Sequence, residues 1–186
     1  MNLVQFRKIS GGDTLEGALR KAVKVLAFYG IPHFVCGGFA VQEHGYARFT
    51  GDVDLIVPNV ADAREKLAMN GFKENPGSTM TVTDRRTKVE VDLLPGGGRV
   101  GPGPLTLPMP TIVSETPQVL SLEKLLEIKL SSYLGNPSRM RDGADVQELI
   151  KVNKLPRELP LDIKVQAAYQ KIWDDTVANS LLGSLE

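Results

Sequence analysis

The segment Asp52-Val53-Asp54-Leu55-Ile56-Val57 leaves this chain few ways to fold. It alternates acidic and apolar residues, then turns wholly apolar, and Pro58 stops it. A period of two is that of a strand, and the apolar half must run into a core. The acidic end is then left at the rim of a sheet. The same period puts Asp52 and Asp54 on one face, where two like charges repel. Nothing in stability favours that pairing. A divalent cation removes the repulsion, and carboxylate oxygens suit a hard ion such as magnesium.

The residues around this strand predict the rest of the layout. Asp13, with Glu16 three residues on, reads as a capping box that opens a helix. Leu15, Leu19, Ala22, Val23, Leu26 and Ala27 fall on one face of it, and Gly30 and Pro32 end it. Phe34-Val35-Cys36 is a short buried strand, and Phe39 to Glu43 is one or two helical turns closed by His44-Gly45. Ala61 to Asn70 is a second amphipathic helix, capped at Gly71. Thr79 to Thr83 and Thr87 to Leu94 make a hairpin with Asp84-Arg85-Arg86 at its turn. The Gly- and Pro-rich run over 95–110 can be neither helix nor central strand. It reads as a surface loop that could cover a site.

Thr111-Ile112-Val113 is a candidate strand. Helices follow from Ser121 to about Leu134, from Arg141 to Val152, and from about Asp162 to Leu182, with a break at Gly135-Asn136-Pro137-Ser138. This order predicts an α/β or α+β fold, a mixed sheet flanked by helices, with a core over 1–115 and a helical C-terminal part over 116–186.

Two further features belong with the acids. Gly37-Gly38 lies between a strand and a short helix, where backbone can approach a ligand closely and amides can cradle phosphate oxygens. A third carboxylate should come from a neighbouring strand. Val89-Glu90-Val91-Asp92-Leu93-Leu94 offers Glu90 and Asp92, which share a face. Asp92 is favoured because it begins the most apolar stretch, and Glu90 is its rival. Three carboxylates fit a two-metal phosphoryl-transfer site.

Charge and composition exclude other classes. The 22 basic and 22 acidic residues cancel, so the chain is no general nucleic-acid coat protein. The one cysteine, Cys36, cannot form an internal disulfide and reads as a small buried hydrophobe. Met1 to Lys8 shows no leader pattern, and no apolar run is long enough to span a membrane. A cytoplasmic protein without a membrane partner is the simplest expectation.

Gly37-Gly38, then Asp52-Val53-Asp54-Leu55, then Val91-Asp92-Leu93 resembles the signature of the DNA polymerase β-like nucleotidyltransferase superfamily. The fuller run GGFAVQEHGYARFTGDVDL is similar to the AbiEii-type branch, which includes toxins of type IV toxin–antitoxin systems. The layout matches over roughly residues 20 to 150, with about thirty residues carrying the resemblance strongly. It implies that Asp52, Asp54 and Asp92 are catalytic and bind Mg²⁺ or Mn²⁺, and that Gly37 and Gly38 contact a nucleoside triphosphate such as ATP. The family often has Ser where Gly38 stands, so one hydroxyl that could touch phosphate is missing. A second resemblance to AbiEii-like proteins is Lys129 on one helix, followed by Arg141-Asp142-Gly143-Ala144-Asp145 on the next. It implies that Lys129 neutralises triphosphate charge while Asp142 and Asp145 orient it.

Plainer readings stand beside these. Arg48 is either a phosphate or substrate contact or a loop charge, and Thr50 either joins the nucleotide site or braces the turn before Asp52. Lys129 could be a snorkelling surface lysine, and Asp142 a helix-start acid satisfying the dipole. His44 reads as a helix-end residue and Trp173 as a core anchor. Arg85, Arg86 and Lys88 read as a solvated hairpin tip. The function implied is transfer of a nucleoside monophosphate from an NTP to an acceptor hydroxyl. RNA or protein is favoured over a small molecule as acceptor, with an antitoxin-type protein as a partner. The alternative is a nucleotide-binding partner protein that does not turn over.

Overall fold

The computed structural model describes residues 12–136 and 138–182, and side chains from 14 to 177 except that of residue 137. The leader reading at Met1 to Lys8, the Asp13 cap side chain and Pro137 lie outside the described residues. The chain divides into two compact units. The first takes in residues up to Glu43, then Ala47–Gly98 and Leu107–Leu120, and the second His44–Tyr46, Arg99–Thr106 and Ser121 onward.

The first unit is built on a five-stranded mixed sheet. Its elements are helix α1 (Gly12–Phe28), strand β1 (Phe34–Cys36), helix α2 (Gly37–Glu43), strand β2 (Asp52–Val57), helix α3 (Val60–Met69), and strands β3 (Phe72–Glu74), β4 (Thr81–Asp84) and β5 (Glu90–Pro95). The spatial order is β1-β2-β5-β4-β3. β2 and β5 are parallel, and every other neighbouring pair is antiparallel. Of the apolar residues expected on α1, Leu15 is buried, Leu19, Ala22, Val23 and Leu26 are fully so, and Ala27 is half-buried. They pack with Ala63 and Leu67 of α3 against Val53, Leu55, Val57, Val91 and Leu93 of the two central strands. Asn59 caps α3 by accepting from Asp62 N–H, which satisfies an amide the helix leaves open.

Lys21 ties α1 to the far edge of this sheet. Its ammonium donates to Gly71 O at 2.9 Å and to Asp84 Oδ1 at 2.5 Å, and lies 4.5 Å from the centre of the Phe72 ring. Asp84 is fully buried and also accepts from Thr87 N and Thr87 Oγ1. Burial pushes its carboxyl up, but the bonds from Lys21 and Thr87 outweigh burial and hold its pKa at about 2.

Several sequence expectations give way here. Asp84 ends β4 as well as opening the turn, and the connection to β5 is longer than the expected hairpin. Asp84 holds both roles because one carboxylate oxygen accepts from Lys21 and the other from Thr87 three residues on. β3 was not foreseen. It is three residues long, with only Phe72 buried, and two charged residues hide its period. Thr111-Ile112-Val113 forms no strand and is exposed. The β1 edge is met by residues 118–120 instead, where Val35 N–H donates to Gln118 O and Leu120 N–H to Val35 O. The Gly- and Pro-rich run is not merely surface, since Val100, Leu105 and Leu107 are buried.

The second unit is helical, with α4 (Leu122–Gly135), α5 (Met140–Asn153) and α6 (Ile163–Leu182). Leu125, Leu126, Leu130, Val146, Leu149, Val165 and Tyr169 are fully buried. Ser121 caps α4 by accepting from Lys124 N–H. Glu127 accepts from Asp162 N–H at 2.8 Å and so holds the start of α6. Segment 99–106 belongs to this unit: Leu105 N–H donates to Ser131 Oγ, and a side chain at Gly103 would run into Ser131. Among the described residues no helix is long and apolar enough to cross a membrane.

Replacing Asp84 with Asn is expected to cost roughly 2 kcal/mol at neutral pH. The folded carboxyl titrates below its unfolded value, so its contribution is full above about pH 4 and fades as pH falls towards 2. Urea midpoints of the two proteins should therefore converge over that interval. A gap that stays constant down to pH 2 would contradict this.

Candidate active site

The parallel register of β2 and β5 sets Asp52 opposite Glu90 and Asp54 opposite Asp92. The antiparallel neighbours extend the second pair into a row across four strands, with Cys36 opposite Asp54 and Thr81 opposite Asp92. Residues paired in a sheet share a face. The alternate residues Val53, Leu55, Val91 and Leu93 take the other face into the core. Asp52, Asp54 and Asp92 are half-buried, whereas Glu90 is exposed.

The glycine pair closes on this row. Gly37 has a φ of +61°, a conformation that L side chains rarely adopt, and a Cβ there would overlap the Asp54 carboxylate outright. A Cβ on Gly38 would collide with Thr50 and come within 3.2 Å of Arg48 Nη1. Both positions need hydrogen as a side chain because Asp54, Thr50 and Arg48 converge there. Gln42 secures the loop by donating to Arg48 O at 2.6 Å, and Arg48 Nη1 donates to Phe49 O. Gly37, Gly38, Arg48, Thr50, Asp52, Asp54 and Asp92 thus gather in one part of the first unit.

Asp52, Asp92 and Glu90 each accept from a neutral side chain. Thr50 Oγ1 donates to Asp52 Oδ1 at 2.8 Å, which is the bracing role foreseen as its plainer reading. Thr81 Oγ1 donates to Asp92 Oδ1 at 2.6 Å. Asn75 Nδ2 donates to Glu90 Oε1 at 3.1 Å, and Asn75 is itself held by Thr83 Oγ1 at 2.7 Å. Among the described residues, no three His, Cys, Asp or Glu side chains stand close enough together to hold a metal ion. The donor set on this face consists of hard carboxylate oxygens and so fits Mg²⁺ or Mn²⁺ in kind.

Lys129 and Asp142 belong to the second unit. Lys129 is buried and pairs with Asp142 at 2.9 Å and Asp145 at 2.7 Å, while Arg139 holds the other Asp142 oxygen at 2.6 Å. Burial pushes the Asp142 carboxyl up, yet the Lys129 charge and the bonds from Arg139 and Lys129 keep it below its ordinary value. Lys129 is therefore no snorkelling surface lysine, and its charge is matched by two buried acids. In the same unit, His44 O accepts from Asn153 Nδ2, and Trp173 Nε1 donates to Leu155 O. Arg85 Nε donates to Phe72 O and Lys88 Nζ to Arg85 O, so the expected hairpin tip is partly tied down.

Sequence reasoning missed Thr81, Ser78 and Asn75. No motif marks them. Thr81 emerges only once the β4–β5 register is known, and the misplaced turn hid that register.

No family model matches the chain, and no curated protein does. Among the solved structures that align with it are two of ANT(2")-Ia. The crystal structure of ANT(2")-Ia in complex with adenylyl-2"-tobramycin does so at a TM-score of 0.49 and 14% identity, covering 84% of this chain and 97% of that one. The solution structure of the antibiotic-resistance factor ANT(2'')-Ia does so at 0.49 and 11% identity, covering 94% and 98%. At identities this low no residue role carries over from those proteins to this chain.

Gly37→Ala is expected to destabilise the fold by about 1–3 kcal/mol, because it adds a strained φ to a collision with Asp54. A melting temperature equal to that of the wild type would refute the close approach. Lys129→Met should cost about 3–5 kcal/mol by removing the cation that two buried carboxylates share. Chemical denaturation measures this, and the loss should shrink when Asp142→Asn and Asp145→Asn are added.

Proposed function

We propose that this chain is a metal-dependent nucleotidyltransferase. The observation that carries the reading is the pairing of Asp54 with Asp92 across parallel strands, with Gly37 stripped of a side chain against the Asp54 carboxylate. Asp52, Asp54 and Asp92 would hold Mg²⁺ or Mn²⁺. When bound, the ion lowers the pKa of the attacking hydroxyl and stabilises the departing pyrophosphate. The chain's own part is positional. Thr50 fixes Asp52, the glycine pair lets Asp54, Thr50 and Arg48 close together, and Arg48 would meet the charge of a triphosphate. In the reaction an acceptor oxygen forms a bond to the α-phosphorus, the bond from that phosphorus to pyrophosphate breaks, and the acceptor gives up its proton. The proposed site is confined to residues of the first unit.

The finer assignment rests on the AbiEii-like run from Gly37 to Leu55. We assign the acceptor hydroxyl to RNA or protein rather than a small molecule, and an antitoxin-type protein as partner. An NTP-fed reaction of this kind belongs in the cytoplasm.

The test is incubation with each labelled NTP, Mg²⁺ or Mn²⁺, and total RNA or cell extract. Label should move to an acceptor and fall to background in Asp54→Ala. Metal-dependent NTP binding with no transfer to any acceptor would replace the enzyme with a nucleotide-binding partner protein. If neither metal nor NTP binds at millimolar concentration, both readings fail.

A further inference from the structure

Thr81 sits at the end of a directed chain of hydrogen bonds that terminates on Asp92. The Thr81 hydroxyl has one proton, and Asp92 Oδ1, 2.6 Å away, belongs to a carboxylate that can only accept. Thr81 is therefore the donor in that bond. Its contact with Ser78 Oγ at 2.9 Å must then run the other way, with Ser78 donating to Thr81. Ser78 in turn accepts from the Met80 amide at 3.1 Å. The direction is thus fixed from a backbone N–H through two hydroxyls to one oxygen of Asp92, and each bond polarises the next.

The neighbouring acid is treated differently. Glu90, the other acid on this face of β5, is exposed and bonded to Asn75, which Thr83 secures. One edge of the hairpin thus holds Glu90 aside and the other holds Asp92 in place. From this geometry we infer that Thr81, aligned by Ser78, is a positioning residue. It fixes Asp92 through Oδ1 so that Oδ2 is the oxygen left for a divalent cation, and it thereby makes Asp92 rather than Glu90 the third carboxylate. The inference rests on the metal reading proposed above. A carboxylate free to rotate on this face would have to be ordered when an ion binds, and the chain would lose part of the ion's binding energy in ordering it.

Titration of the intact protein with Mn²⁺, followed by the electron paramagnetic resonance of the free ion, tests it. Thr81→Val keeps the shape and removes the proton, and should weaken Mn²⁺ binding about tenfold. Thr81→Ser restores the donor and should bind as the wild type does. Ser78→Ala breaks the chain one bond earlier and should weaken binding about threefold. Circular dichroism and melting temperature establish that each variant is folded. If Thr81→Val binds Mn²⁺ like the wild type while Asp92→Asn has lost the ion, the metal reading survives and the role of Thr81 is overturned. If Asp92→Asn itself binds like the wild type, Asp92 is no ligand and both fall. Should Thr81→Val fail to fold, unchanged affinity in Ser78→Ala overturns the inference.

Discussion

The in-register parallel pairing of β2 and β5 is the constraint on which the rest of the first unit depends. It sorts the residues of both strands by parity. One parity supplies Val53, Leu55, Val91 and Leu93 to the core beneath α1 and α3. The other leaves Asp52, Asp54, Glu90 and Asp92 together. A slip of one residue in either strand would drive an acid into the core and a valine out of it. The hydrophobic core therefore enforces the acidic row, although that row gives the fold nothing. Two carboxylates at the strand spacing of about 4.8 Å repel by roughly 3 kcal/mol at a surface-like dielectric. The chain carries that repulsion on one face of two central strands.

Two groups of acids in this chain are held in opposite ways. In the second, Asp142 and Asp145 are buried but meet Lys129, and Asp142 meets Arg139 as well. Two cations there face two anions, and the cluster is neutral within itself. In the first, Asp52 and Asp92 are held by the neutral hydroxyls of Thr50 and Thr81. Hydroxyls orient a carboxylate without cancelling its charge. The residue type is the same, but Asp142 and Asp145 meet cations where Asp52 and Asp92 meet hydroxyls. Asp84 follows the first pattern, since Lys21 completes it.

What could be read from sequence was whatever depends on period. The span of β2 and the buried face of α1 follow from alternation or helical spacing, and the structure has them where the pattern puts them. The convergence of Gly37 and Gly38 with Asp54 was legible through composition, because only glycine permits such an approach. What was not legible depends on pairing between distant residues. β3 is too short to show a period, and its one buried residue, Phe72, looks like a helix tail. The edge partner of β1 is set by residues 118–120 rather than by the more β-prone Ile112-Val113, because strand propensity without a neighbour to bond does not make a strand. The roles of Thr81 and Asn75 follow from cross-strand register, which a misplaced turn conceals.

The distance along the chain between Asp54 and Asp92 bears on how the molecule comes to be folded. They are about forty residues apart in sequence, and α3, β3 and β4 lie between them. Closing so long a loop is entropically slow, and no local hairpin can substitute for it. An incompletely folded chain would carry β2 with its two aspartates but lack the third. The row is therefore finished only when the central parallel pair forms. An ion that needs all three carboxylates would ignore partly folded chains and draw the population towards the completed sheet by mass action.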